Sequence, residues 1–172
     1  MSKLERFGTG GIGSRRLYLM ELADVDALPS NLALEGRHFA CAILMDADSM
    51  ETDAIGRMSV SLLEQGLVYA CTWGPGCKRV HDIIDEEVVG GGPVIPRFPL
   101  LVMTSWHSGE TLDDALYFWL FNTTPHENLA RSCRSSLVLS IGNRAWSVPA
   151  RQAIWDPEGF RDRVLDADEA GD

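Results

Sequence analysis

The chain is short of cationic runs, of long apolar runs and of histidine, and each shortage removes a class of function. Lys and Arg total 15 against 25 Asp and Glu, a net charge of −10 with pI near 4.8. No Lys/Arg cluster offers the basic face that releases counterions from phosphates, so nucleic acid is not an expected partner. The most apolar segments, FACAILM, PLLVM, LYFWLF and SLVLSI, are each shorter than eight residues. A bilayer span needs about 20 apolar residues, so no membrane-spanning segment is expected. Histidine occurs only 4 times, with no HxH or HxxxH spacing to support a metal site. No metal and no cofactor are therefore expected. The four cysteines (41, 71, 77 and 133) follow no disulfide or zinc pattern. No N-terminal stretch combines a basic start, an apolar run and a small-residue cleavage site. Together these point to a reducing, cytoplasmic setting.

What is present is an ordinary balance for one domain: 172 residues, 45% apolar and 23% charged. That length buries roughly two-thirds of the unfolded chain's surface, enough to fold without metal or disulfide. Charge is uneven. Residues 156–172 carry seven acids against two arginines, half of the whole net charge, which reads as an acidic tail with a short helix opened by Asp156-Pro157. At the other end, residues 1–16 are polar and Gly-rich and read as a flexible lead-in. Gly8-Thr9-Gly10-Gly11-Ile12-Gly13 has the GxGxxG spacing. A dinucleotide fingerprint needs a strand before it and a helix opening at it, and no preceding strand is expected here.

Between these ends, residues 17–155 read as a single α/β domain. LYLMEL (17–22) suggests a short strand, and FACAILMD from Phe39 a buried one, because its apolar run is continuous rather than alternating. A helix follows over about 52–65, with Ile55, Met58 and Leu62 on one face and Gly66 as its stop. LVYACTW (67–73) is the next strand, and Cys77 to Val89 the next helix, running out in Gly90-Gly91-Gly92. FPLLVMTSW (98–106) is a third strand. Thr111-Leu112-Asp113-Asp114 has capping-box form and opens an apolar helix to Asn122, with Pro125 forbidding continuation. SSLVLSI (135–141) and RAWSV (144–148) flank Gly142-Asn143, a dipeptide favoured in tight hairpins, so an antiparallel ribbon is expected there. The alternation predicts a three-layer α/β sandwich with a mainly parallel sheet, flavodoxin-like or Rossmann-like, ending in that hairpin.

In such sheets ligands bind beyond the carboxyl ends of the strands. Three ends therefore supply candidates: Asp46 and Asp48; the stretch from Cys71 through Trp73, Gly74, Gly76, Cys77, Lys78 and Arg79; and Trp106-His107. A Gly-rich turn opening a helix presents free N–H groups to an anion, and Lys78 and Arg79 add charge. Cys77 at that helix start would have a thiolate favoured by the helix dipole. Cys71 resembles the nucleophile of cysteine-dependent phosphatase loops, although the sixth following residue is Cys77 instead of Arg and Arg79 comes two positions late. Asp46-Ala47-Asp48 resembles the first motif of haloacid-dehalogenase-like phosphotransferases, with Ser49 where Thr or Val is expected. His107 would be the acid/base, and His81 is a second candidate. Trp73 and Trp106, each at a strand end, would form a stacking platform or a partner anchor.

No catalytic or cofactor motif is complete. The expectation is a non-catalytic cytoplasmic interaction protein whose acidic surface neutralises or regulates a protein partner, a basic one being favoured by charge. The helix around Tyr117-Phe118-Trp119, or an open edge at 135–148, would serve partner binding or self-association. The alternative is an enzyme or sensor acting on a small phosphate-like anion at the 71–79 loop, with Cys71 or Cys77 as nucleophile.

Overall fold

The run His38–Leu44 is buried at every residue, and the rest of the molecule is arranged to cover both of its faces. A computed structural model describes residues 3–90 and 101–171. In chain order the elements are β1 (Leu4–Gly10), β2 (Arg15–Leu22), β3 (His38–Leu44), α1 (Thr52–Glu64), β4 (Leu67–Trp73), α2 (Cys77–Val89), β5 (Met103–Trp106), α3 (Leu112–Asn122), α4 (Glu127–Ala130), β6 (Cys133–Ile141), α5 (Arg144–Trp155) and α6 (Pro157–Gly171). The strands form a six-stranded sheet in the order β1-β2-β6-β3-β4-β5, parallel except for β1.

Side-chain alternation divides the core into two layers. Tyr18 and Met20 of β2, Cys41 and Ile43 of β3, and Leu137 and Leu139 of β6 face α1 and α2. Leu17 and Leu19, Ala42 and Leu44, and Val138 face α3, α5 and α6 on the other side, where Trp119 is wholly buried. The expected three-layer α/β sandwich with a mainly parallel sheet is therefore present. Its strand order differs from the flavodoxin-like 2-1-3-4-5 and the Rossmann 3-2-1-4-5-6 orders, because the last strand, β6, inserts between β2 and β3.

The hairpin expected at 135–148 is replaced by a strand and a helix. Pairing β6 with RAWSV would have displaced β2 or β3, each of which gives it a long parallel ladder. Gly142-Asn143 turns the chain into α5 instead: the Asn143 side chain accepts the Ala145 N–H at 3.0 Å. Ser147, Ala150, Ala153 and Ile154 then form the buried stripe. The sheet edges lie at β1 and β5, not at β6.

The Gly-rich start is likewise no loose lead-in. Residues 4–10 are a strand antiparallel to β2, with a bulge between Arg6 and Thr9 that breaks up an exposed edge. Two glycines of the GxGxxG run lie in β1 and the others in the turn to β2. A strand thus precedes the motif, but only a three-residue 3-10 turn, Ile12–Ser14, opens at it in place of an α-helix, which removes the phosphate site. Arg151 of α5 holds this strand, donating to Glu5 at 2.6 and 3.1 Å and to Glu21 of β2 at 3.0 Å. The C-terminal helix runs 15 residues, longer than expected, because Phe160 and Val164 bury against the α3 side of the core. The strand foreseen at 98–106 begins at Met103; its first residues, like Gly91-Gly92, lie outside the described residues.

The other expected elements hold. β4 and α2 have the expected limits, and α3 carries its capping box, with Thr111 Oγ1 accepting the Asp114 N–H at 3.1 Å and Asp114 Oδ2 accepting the Thr111 N–H at 3.2 Å.

Two predictions follow from this packing. Gly66 adopts φ +102° after α1, and an added Cβ would collide with the Arg37 carbonyl oxygen. Gly66→Ala should cost about 2 kcal/mol or more, read as a fall in Tm of roughly 4–8 °C. The Ser147 hydroxyl and then the Arg151 guanidinium hold the Glu21 carboxyl below its ordinary value. Its contribution is therefore full above the ordinary glutamate range and is lost as pH falls through the lowered value. Glu21→Gln should lower Tm at pH 7, and the difference from wild type should close in titrations toward pH 3.

Candidate functional site

The direction of the chain through the sheet determines where a ligand crevice opens. From β3 through β4 to β5 the sheet is built one strand at a time in one direction, with α1 and α2 on one face. The chain then returns to β6, and a right-handed crossover requires α3 to lie on the opposite face, where it is found. The segment leaving β4 therefore goes to one face and the segment leaving β5 to the other. Adjacent strands whose connections part in this way mark the switch points at which α/β sheets bind ligands; β6 and β3 are one such pair, and β4 and β5 another. The residues at the β4–β5 point are Trp73–Cys77 and His107–Glu110.

Three side chains from the β5 end form one hydrogen-bonded chain. Ser105 and His107 are two apart on an extended segment and so share a face. His107 Nε2 lies 3.2 Å from Ser105 Oγ, and His107 Nδ1 lies 2.7 Å from Glu110 Oε2. The imidazole is 5% exposed, with its ring 4.6 Å from that of Phe118. Glu110 is held at its backbone too, its carbonyl accepting Trp73 Nε1–H at 3.0 Å. His107 was foreseen as an acid/base; Ser105 and Glu110 were not. The available signal was the S-W-H-S-G-E spacing, which aligns Ser105 and His107 once the segment is known to be a strand end.

The cysteines lie against this chain, Cys71 beside Ser105 and Cys77 beside the His107 backbone. Cys71 is fully buried on the α3 side, its thiol 3.8 Å from the Ala115 carbonyl. Burial pushes that thiol up to about 12, with a hydrogen bond from Ser105 opposing. The lowered value expected for Cys77 is reversed. Backbone N–H groups of His107 and Lys78 favour its thiolate, but desolvation outweighs them and the thiol is pushed up. The Cys77 carbonyl accepts the Thr72 hydroxyl at 2.9 Å, a helix-start contact.

The cations and carboxylates of the rim are occupied structurally. Lys78 Nζ lies 2.7 Å from Asp82 and 5.5 Å above the Trp106 ring. Arg79 donates to the carbonyls of Ala47 and Met50 at 2.7 and 2.8 Å and to Thr52 Oγ1 at 2.7 Å, clamping the β3–α1 loop. Asp46 accepts the Asp48 N–H at 3.1 Å. Asp48 lies so close to Gly76 that a Cβ there would be 2.7 Å from its carboxylate oxygen, and Gly74 is packed as tightly on the Met45 carbonyl. The α2 start thus faces a carboxylate of its own chain, which disfavours an added anion. No group of three or more metal-binding side chains occurs among the described residues.

The tryptophans form no common platform. Trp106 is paired with Thr72 in the ladder, so Trp73, one residue further, points to the other face. Trp73 meets Trp146 at 5.3 Å, whereas Trp106 meets His81 at 4.6 Å. His81 is committed to Asp82 and Asp85 of its own helix. Trp119, expected to mark a partner face, is core.

The matched family extends over most of the chain. The chain belongs to DUF7684, a domain of unknown function, whose family model matches residues 17–156. No curated protein and no solved structure matches it. The match runs from β2 through α5, so the Ser105–His107–Glu110 chain lies within the matched DUF7684 residues, and β1 and α6 lie outside them.

The thiol environments give a direct expectation. In native protein at pH 7, all four cysteines, each free and buried, should react with a disulfide reagent far more slowly than a free thiol, and at full rate after denaturation. One thiol reacting fast in the folded protein would overturn this assignment.

Proposed function

We propose that this DUF7684 protein acts by binding a basic protein partner on the face that α5, β1 and α6 build around Trp155. The observation that carries this reading is Trp155 itself, 79% exposed at the end of α5. A groove of about 630 Å³ lies on one side of it, lined by Val148, Arg151, Gln152, Asp156 and Arg163; a second, of similar size, runs along β1 from Lys3 to Gly8. Val148 is also exposed, and the Trp155 ring stands edge-on to Phe7 at 6.5 Å. A rigid, exposed aromatic between two concavities has the form of an interface anchor.

Charge selects the partner. α6 exposes Glu158, Asp162, Asp166, Asp168 and Glu169; Arg161 pairs with Glu158 and Asp162, and Asp156 and Arg163 line the groove itself. Arg151 is already engaged by Glu5 and Glu21. A cationic surface carrying an apolar residue would meet complementary charge on α6 and lodge that residue beside Trp155. Free thiols suit a cytoplasmic location, and no helix among the described residues is long and apolar enough to cross a membrane. The alternative of an anion site at the 71–79 loop loses support from the buried thiols and from Lys78 and Arg79 being engaged within the chain.

The test is parallel capture from the source lysate with wild type and Trp155→Ala, in low and moderate salt. Trp155 is too exposed for its loss to disturb the fold. One basic protein should be retained stoichiometrically by wild type at low salt, and retention should fall at least about tenfold with Trp155→Ala, the scale of an interface anchor. Equal recoveries from both forms, or recovery of the chain alone as a Trp155-dependent dimer, would overturn the reading.

A further inference from the structure

We propose that Ser105, His107 and Glu110 form a nucleophilic acyl-transfer site for a carboxylic ester with a small apolar acyl group. The geometry is the one such chemistry requires: a hydroxyl within reach of one imidazole nitrogen, and a carboxylate fixing the other. The two spacings, 3.2 and 2.7 Å, fall within the range of resting catalytic pairs. The β5 backbone is already tied to β4 by its ladder and by the His107 N–H to the Thr72 carbonyl at 3.0 Å.

Placement supports the same assignment. The three residues stand at the strand ends from which the connections of β4 and β5 leave for opposite faces, and β5 is the terminal strand of the sheet. Ser105 is part-buried and Glu110 exposed. Phe118, 4.6 Å from the imidazole ring, and Tyr69, 6.4 Å from Phe118, make the adjoining wall aromatic, which suits an apolar acyl group. Tyr69, two residues before the Cys71 that pairs with Ser105 and so on the same face of the sheet, has its hydroxyl pushed up by burial and stays protonated. It is a neutral donor beside the nucleophile, where a developing oxyanion would need one.

The step balances within these groups. Ser105 Oγ attacks the ester carbonyl carbon, and its proton passes to His107 Nε2. The C–O bond to the alcohol breaks, and the leaving oxygen takes that proton from His107. Water then attacks the acyl-serine with His107 again accepting the proton, releasing the acid and restoring the hydroxyl. Glu110 is a positioning residue that holds the ring in the tautomer presenting Nε2 to Ser105. This site is independent of the Trp155 face: β1 and β5 are five strand spacings apart, about 24 Å.

The test uses the intact protein and a fluorophosphonate probe. Ser105 Oγ displaces fluoride from phosphorus, forming the O–P bond as P–F breaks, with the hydroxyl proton taken by His107. Peptide mapping should place a single label on Ser105, absent in Ser105→Ala, whose circular dichroism melt checks the fold. Glu110→Gln, at an exposed position, should slow labelling by about 100-fold or more. Tyr69→Phe should slow p-nitrophenyl acetate hydrolysis by about tenfold or more. No label under conditions that modify an authentic serine esterase, a label elsewhere, or labelling indifferent to Glu110→Gln would overturn the proposal.

Discussion

The constraint on which the molecule depends is the insertion of β6 between β2 and β3. A strand with neighbours on both sides and helices over both faces must have every backbone group paired and nearly every side chain apolar or hydrogen-bonded. Residues 133–141 meet that demand: all but Arg134 are buried, and the buried Ser135 and Ser140 hydroxyls donate to the carbonyls of Glu35 and Asn143 at 2.6 and 3.0 Å. Closing the sheet this way brings together β2 and β3, which the chain leaves one strand apart. It also commits the last third of the sequence to the opposite face.

From that commitment the rest follows. With α3 forced to the far side of the sheet, the connections at the ends of β4 and β5 diverge, and His107 is held where Ser105 and Glu110 both reach it. With α5 following β6 on the same far side, Trp155 comes out beside β1, and α6 folds back over α3. The proposed binding face and the proposed acyl-transfer site are thus two consequences of one topological choice, at opposite edges of one sheet. The two thiols that looked reactive lie between the helices and the sheet for the same reason, where desolvation outweighs the helix-start dipole.

Much of the local structure was legible. The continuous apolar run from Phe39, the Gly-bounded strand at 67–73, the helix at 77–89 and the capping box at Thr111 are determined by neighbours a few residues away; the last three could be read to their limits, and the first, read as FACAILMD, is a strand over His38–Leu44. The site was half legible. His107 stood out as a strand-end histidine, but Ser105 and Glu110 acquire meaning only when β5 is known to be extended and the turn after it to double back. Lys78 and Arg79 looked like anion ligands because sequence displays charge without displaying its partners. Arg79 is spent on carbonyls about thirty residues earlier in the chain.

The sequence by itself determined the class, the layers and most elements, because periodicity, capping residues and glycine stops act over one or two turns of chain. It left open the fate of Gly142-Asn143, which suits a hairpin and a helix cap equally. It also left open the role of the Gly-rich start, which becomes a strand only because β2 offers it a free edge. Only the tertiary structure decided those, together with strand order and the partners of each charge. These depend on hydrogen bonds and burial between residues up to about 150 positions apart, whose energies no local pattern encodes.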